Sequence, residues 1–232
     1  QETATAVMPT IPEQDGIRRR ASSRARRLSL KVDAAEGVIE LVVPNGASEA
    51  EITRFVESHR RWITRQLHSL PQRIPFADGA ELAVLDETLR LCHRSDGGAA
   101  ARREGGELVI GGDAAGFAPR ARAWLRETAR AAFFEHAHGH AATIGETVKG
   151  IRIADPRTRW GSCSCQGRLA FSWRLVLAPR SVLDYVAAHE VSHLTVMRHS
   201  RRFWHLVDTL HPDVATARAW LSKYGPDLHR YG

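Results

Sequence analysis

The sequence predicts an α+β fold in two parts. Three observations lead there: β-type runs crowd the first half, long helical periodicities fill the second, and the Gly- and Ala-rich run Gly111–Gly116 between them reads as a linker. The expected divisions are a flexible tail over residues 1–15, a small, mostly antiparallel β module carrying one helix over 16–115, and a second domain over 116–232. A chain of 232 residues can hold one sizeable core or two small ones. With 43% apolar and 25% charged residues, disorder throughout is excluded. No apolar run reaches the roughly 18 residues that a bilayer-spanning helix needs, so no membrane partner is expected.

In the first half, Arg26–Val32 and Val38–Val43 read as two strands joined through Ala34–Gly37 in a hairpin, and Pro44 ends the second. Ser48 with Glu51 three residues on is a capping box, and Ile52, Phe55, Val56, His59, Trp62, Ile63 and Leu67 continue at helical spacing to about Ser69. Pro71 and Pro75 mark a break. Short β-type runs follow at Glu81–Leu85, Thr88–His93 and Glu107–Ile110.

After the linker a long amphipathic helix is expected from Pro119, with Ala123, Leu125, Ala129, Ala132, Phe133 and His136 on its buried side. Val148–Ile153 and the longer Leu169–Leu177 are strand candidates. Ser181 offers an N-cap for a helix over Val182–Val196, and Arg201–Leu210 and Val214–Lys223 close the chain as two shorter helices.

Charge and cysteines bound the partners. Arg18, Arg19, Arg20, Arg24, Arg26, Arg27 and Lys31 lie between Gly16 and Val32 with no acid among them, a stripe equal to the net charge of +7. Leu28, Leu30 and Val32 alternate with Ser29 and Lys31, which favours a solvated strand face, while nucleic-acid contact is the alternative reading of the same stripe. Residues 1–16 carry neither a basic n-region nor an apolar core, so they are not read as a secretory signal. Cys92, Cys163 and Cys165 are irregularly spaced, which points to reduced thiols and a cytoplasmic protein rather than a disulfide framework.

The chemistry centres on His189-Glu190-Val191-Ser192-His193, an H-E-x-x-H motif. Imidazoles at i and i+4 lie one above the other on a helix, so both reach one ion at about 2.0–2.1 Å. Glu190 is no ligand in this arrangement; it stands beside the pair, where it can take the proton of a water whose pKa the ion lowers. Val182, Val186, His189 and His193 form one helical stripe, and His199 follows six residues on, where the apolar periodicity stops and the chain can turn back. The expected ligands are His189, His193 and His199, and their type suits Zn2+, one per chain. The spacing equals that of the metzincins, but Val196 stands where their glycine must be and no methionine follows to make the Met-turn, so that class is excluded. His136, His138 and His140 form a second cluster with His136 and His140 on one helical face. No carboxylate stands in a base position like that of Glu190, so a polar helix end is the preferred reading over a second metal site.

Four segments then carry a resemblance: Arg159-Trp160-Gly161-Ser162-Cys163, Trp173-Arg174-Leu175-Val176-Leu177-Ala178-Pro179, His189-Glu190-Val191-Ser192-His193-Leu194 and His199-Ser200-Arg201-Arg202-Phe203-Trp204. In this order they resemble the YgjP-like small zinc metallopeptidases, related to SprT-like proteins. The likeness runs from Arg18 to about Leu221, departing at Ser192, where cysteine is the more usual residue. It implies a zincin-like catalytic domain after the β module, three histidine ligands matched by His189, His193 and His199, Glu190 as general base, and a peptide or protein substrate. SprT-like relatives act on DNA-bound proteins, a role that fold alone does not transfer. Arg159 and Trp160, in a loop expected under the site, are candidate substrate contacts, with packing the preferred role. Ser172 and Trp173, in a run Phe171–Leu175 that could act as an edge strand for an extended peptide, are further candidates.

Overall fold

Leu41 and Val43 stand on one face of a strand, and the first sheet assembles around them. In the computed structural model, which describes residues 16–33, 37–69, 72–95 and 98–232, the chain forms two compact units that divide between Arg73 and Ile74. The expected tail, most of the Ala34–Gly37 turn and Pro71 lie outside the described residues.

In the first unit, β1 (Ile17–Ser22) runs parallel and β2 (Ser29–Asp33) antiparallel to the central β3 (Val38–Pro44). Leu41 and Val43 bury against Ile52 of the following helix, with Ile17, Leu28, Leu30, Phe55 and Val56 around them. β1 escapes the sequence reading because Ile17-Arg18-Arg19-Arg20 does not alternate. The capping box forms as expected: the Ser48 hydroxyl accepts from the Glu51 amide, and the Glu51 carboxylate accepts from the Ser48 amide at 2.8 Å.

The single helix expected to run to Ser69 is two, α1 (Glu49–Ser58) and α2 (Arg60–Ser69). His59 interrupts the ladder. Its ring Nδ1 donates to the Phe55 carbonyl at 2.8 Å, and its own amide turns instead to the carbonyl of Val56. A side chain has taken the acceptor that the next helical turn needed.

In the second unit, the sheet β4-β5-β7-β6 comprises β4 (Glu81–Val84), β5 (Glu87–Arg94), β6 (Ala101–Glu104) and β7 (Glu107–Gly111). β5 and β7 are parallel and the other two pairs antiparallel. Its buried Leu82, Leu89, Leu91, Leu108 and Ile110 share one core with α3 (Phe117–Thr143). That shared core is why the division falls before this sheet and not at the Gly111–Gly116 linker.

The buried stripe of α3 is mostly alanine (Ala121, Ala129, Ala132, Ala137, Ala141), which lets neighbours approach closely. Phe133 stacks on Phe171 with ring centres 4.0 Å apart. A second sheet of the same unit, β8-β10-β9, contains β8 (Gly150–Ala154), β9 (Gly161–Cys163) and a central β10 (Arg168–Ser172). β10 is parallel to β8 and antiparallel to β9.

The expected strand Leu169–Leu177 stops at Ser172, and Trp173–Leu177 is a 3₁₀ turn. All five residues of that turn are buried, and an apolar run buried on every side shows no periodicity that tells strand from helix. Arg174 within it is held by a bidentate pair with Asp155 at 2.6 and 3.0 Å and by the carbonyls of Leu228 and Tyr231 at 3.0 and 2.7 Å.

α4 (Arg180–Thr195), α5 (Arg201–Leu210) and α6 (Val214–Leu228) complete the unit. Ser181 does not cap α4. The cap position is Pro179, which has no side-chain acceptor, and Asp86 in the β4–β5 turn takes the Arg180 amide at 3.2 Å. The whole is α+β, with small sheets and six helices among the described residues.

Candidate metal centre

α4 carries His189 and His193 one turn apart, and the chain leaves the helix at Val196 in an extended conformation (φ −134°). It turns back through Met197 and Arg198, so that His199 arrives just before α5, whose N-cap Ser200 accepts from the Phe203 amide. The three imidazoles meet at their Nε2 atoms: His199 lies 3.2 Å from His189 and 3.1 Å from His193. An ion held tetrahedrally at 2.0–2.1 Å from each ligand needs nitrogens about 3.3 Å apart, so the spacing fits one.

The protonation states fit as well. His193 Nδ1 donates to the Val196 carbonyl at 3.1 Å, which leaves the Nε2 lone pair on the site. Burial, with the neighbouring His193, His199 and Arg218 adding to it, pulls His189 down to about 4, and burial also lowers His193. Neutral imidazole is the ligating form. Beneath the cluster lies Phe203, fully buried, its ring centre 4.9, 4.5 and 4.7 Å from those of His189, His193 and His199. Trp204 stacks on His199, and the Arg218 guanidinium covers the Trp204 ring at 4.7 Å.

Glu190 is only 6% exposed and turns toward β9. Burial raises its carboxyl to about 7 although Arg159 works against the shift. A Cβ placed on Gly161 would stand 2.6 Å from both Cγ and Oε1 of Glu190. Only a residue without a side chain leaves room for this carboxylate. The sequence offered packing for Gly161, and for Phe203 and Trp204 only membership in the quoted segments; the contacts that give them their places are between distant parts of the chain.

The other candidate residues separate by burial. Of the run Arg159 to Cys163, expected as a loop, Arg159 and Trp160 lie in one, whereas Gly161–Cys163 is the edge strand β9. Arg159 is exposed and near enough to act on Glu190 electrostatically. Trp160 is half-buried, stacks on His229 at 5.1 Å and closes over Gly225, so packing accounts for it. Ser172 and Trp173 do not line the site. Both are 0% exposed; the Ser172 hydroxyl accepts from the Arg174 amide and Trp173 packs edge-on against Phe76. Nor can β10 serve as an edge, because it is the middle strand of its sheet.

Cys163 is free, and burial together with Glu190 pushes its thiol up to about 11, which leaves it protonated and a poor ligand. In the basic stripe, Arg18 pairs with Asp33 at 3.1 Å, Arg19 with Glu49 at 2.7 Å and Arg20 with Glu40 at 3.0 Å. No helix among the described residues is long and apolar enough to cross a membrane.

Comparison with known proteins adds the family. The crystal structure of the metallopeptidase zymogen of Pyrococcus abyssi abylysin aligns over 39% of this chain and 94% of its own, at 18% identity and a TM-score of 0.35. No curated protein matches. The family model described as YgjP-like, metallopeptidase domain, matches residues 26–224, a span that includes the three histidines, Glu190 and β9. The chain belongs to the YgjP-like metallopeptidases.

Proposed function

We propose that this metallopeptidase is a zinc enzyme that hydrolyses peptide bonds, with His189, His193 and His199 as ligands and Glu190 as general base. The observation that carries the reading is the convergence of His199 Nε2 on those of His189 and His193 at 3.2 and 3.1 Å, with the buried Glu190 next to His189 in the chain. When bound, zinc supplies a Lewis acid that polarises a carbonyl and acidifies water.

The chain's own residues do the rest. His193 is oriented by the Val196 carbonyl, and Phe203 and Trp204 shield the imidazoles from solvent on one side. Glu190 accepts a proton from the attacking water and returns it to the leaving amine. β9, the outer strand of its sheet and the neighbour of Glu190, offers backbone hydrogen bonds to an extended substrate. A structural zinc site, by contrast, takes four protein ligands as a rule. The basic stripe is not needed for this reading; of its seven residues Arg18, Arg19 and Arg20 face acids.

Fluorogenic peptide libraries test it. Cleavage is expected to stop when a chelator strips the ion and to return on adding about one equivalent of zinc. Cleavage that survives complete removal of metal, or a zinc-loaded chain that cuts no peptide, would overturn the proposal.

A further inference from the structure

The histidines of α3 meet in the fold a carboxylate from another helix. His136 and His140 stand one turn apart on the face of α3 that meets α4, and Asp184 of α4 reaches between them. His136 Nδ1 lies 2.7 Å and His140 Nε2 2.6 Å from the same oxygen, Asp184 Oδ1. His138 is not part of this group; its Nδ1 donates to the Phe134 carbonyl.

We propose that His136, His140 and Asp184 form a second metal site, for a divalent transition ion of the zinc, nickel or copper class. The three ligand atoms, one from each residue, lie within 4.8 Å of one another, and two imidazoles with one carboxylate is a donor set these ions favour. The side chains are 19, 14 and 20% exposed, so the group is sheltered yet open to an ion from solvent.

Asp184 is held ready as an anion. Burial works against it, but the hydrogen bonds from His136 and His140 outweigh that and keep its carboxyl well below the usual carboxylate range. The present separations are those of hydrogen bonds. An ion needs about 3.0–3.4 Å between ligand atoms, so its entry displaces the shared protons and opens the group by roughly half an ångström, within reach of side-chain torsions. His211 stays outside the ligand set, although its Nε2 is 3.9 Å from Asp184 Oδ2. That nitrogen donates to the Ser181 carbonyl at 3.0 Å, and its Nδ1 accepts from the Asp213 amide at 3.2 Å. An ion here would clamp α3 to the helix that carries His189 and His193.

The test is zinc titration of the untagged, metal-stripped full chain by calorimetry, with circular dichroism on every variant. The wild type should take up about two equivalents, and His136→Ala/His140→Ala about one. His189→Ala/His199→Ala, lacking the first site, should still take up about one, and adding Asp184→Asn, which keeps side-chain size, should abolish it. Saturation of the wild type at one equivalent, or a folded His189→Ala/His199→Ala chain that binds no ion, would overturn the second site and leave the first untouched. If the alanine pair does not fold, the Asp184→Asn comparison decides on its own.

Discussion

Glu190→Gln is expected to keep its metal and lose turnover by about 10²–10⁴-fold, the usual contribution of a positioned general base. Glutamine matches the side chain in volume, so the packing of a residue only 6% exposed is preserved while the ability to take a proton is lost. Because Glu190 is not among the three converging nitrogens, zinc content should not change. Its environment suits proton transfer. Burial lifts the carboxyl to about 7, near the pH at which it must accept and return a proton, and an ion in the site adds a charge that favours the carboxylate. Steady-state kinetics with zinc analysis on the same samples checks this, and wild-type turnover in the variant would remove Glu190 from the mechanism.

The second large effect comes from a methyl group. Gly161→Ala places a Cβ 2.6 Å from Cγ and Oε1 and 2.8 Å from Cδ of Glu190, distances that real Cβ atoms do not tolerate. Either β9 or the Glu190 carboxylate must shift. The carboxylate is the softer of the two, because it ends a rotatable side chain whereas β9 is hydrogen-bonded to β10 from Gly161 to Cys163. A misplacement of about 1 Å in a reacting group can cost about 10²-fold, and that is the expected loss in kcat, with the zinc equivalent and the thermal midpoint little changed. Turnover equal to wild type would show that Gly161 does not set the position of Glu190. A collapse of thermal stability would show that the strand, not the base, gives way.

What the sequence made legible follows from the reach of each signal. The H-E-x-x-H helix and the helix Arg201–Leu210 were readable because helical periodicity is local, and the capping box at Ser48 formed as spaced. His199 was readable as a ligand candidate by its distance from the motif, and the structure brings its Nε2 to the other two. What was missed depends on contacts between distant segments. Nothing near His136 and His140 announces Asp184, 44 residues beyond His140, and nothing near Arg180 announces a cap from Asp86. Trp173 illustrates a different failure. Its run is largely apolar, so it reads as a strand, whereas Trp173–Leu177 is a buried 3₁₀ turn. His59 shows a third, in which one imidazole competing for a carbonyl splits a helix whose pattern is otherwise continuous.

Ion content decides whether three histidines hold a metal. Elemental mass spectrometry should be run on the wild type and His199→Ala, both purified without a histidine tag and dialysed alike. His199→Ala is predicted to carry about one zinc fewer per chain with an unchanged circular dichroism spectrum. Equal zinc in the two folded proteins would contradict the account.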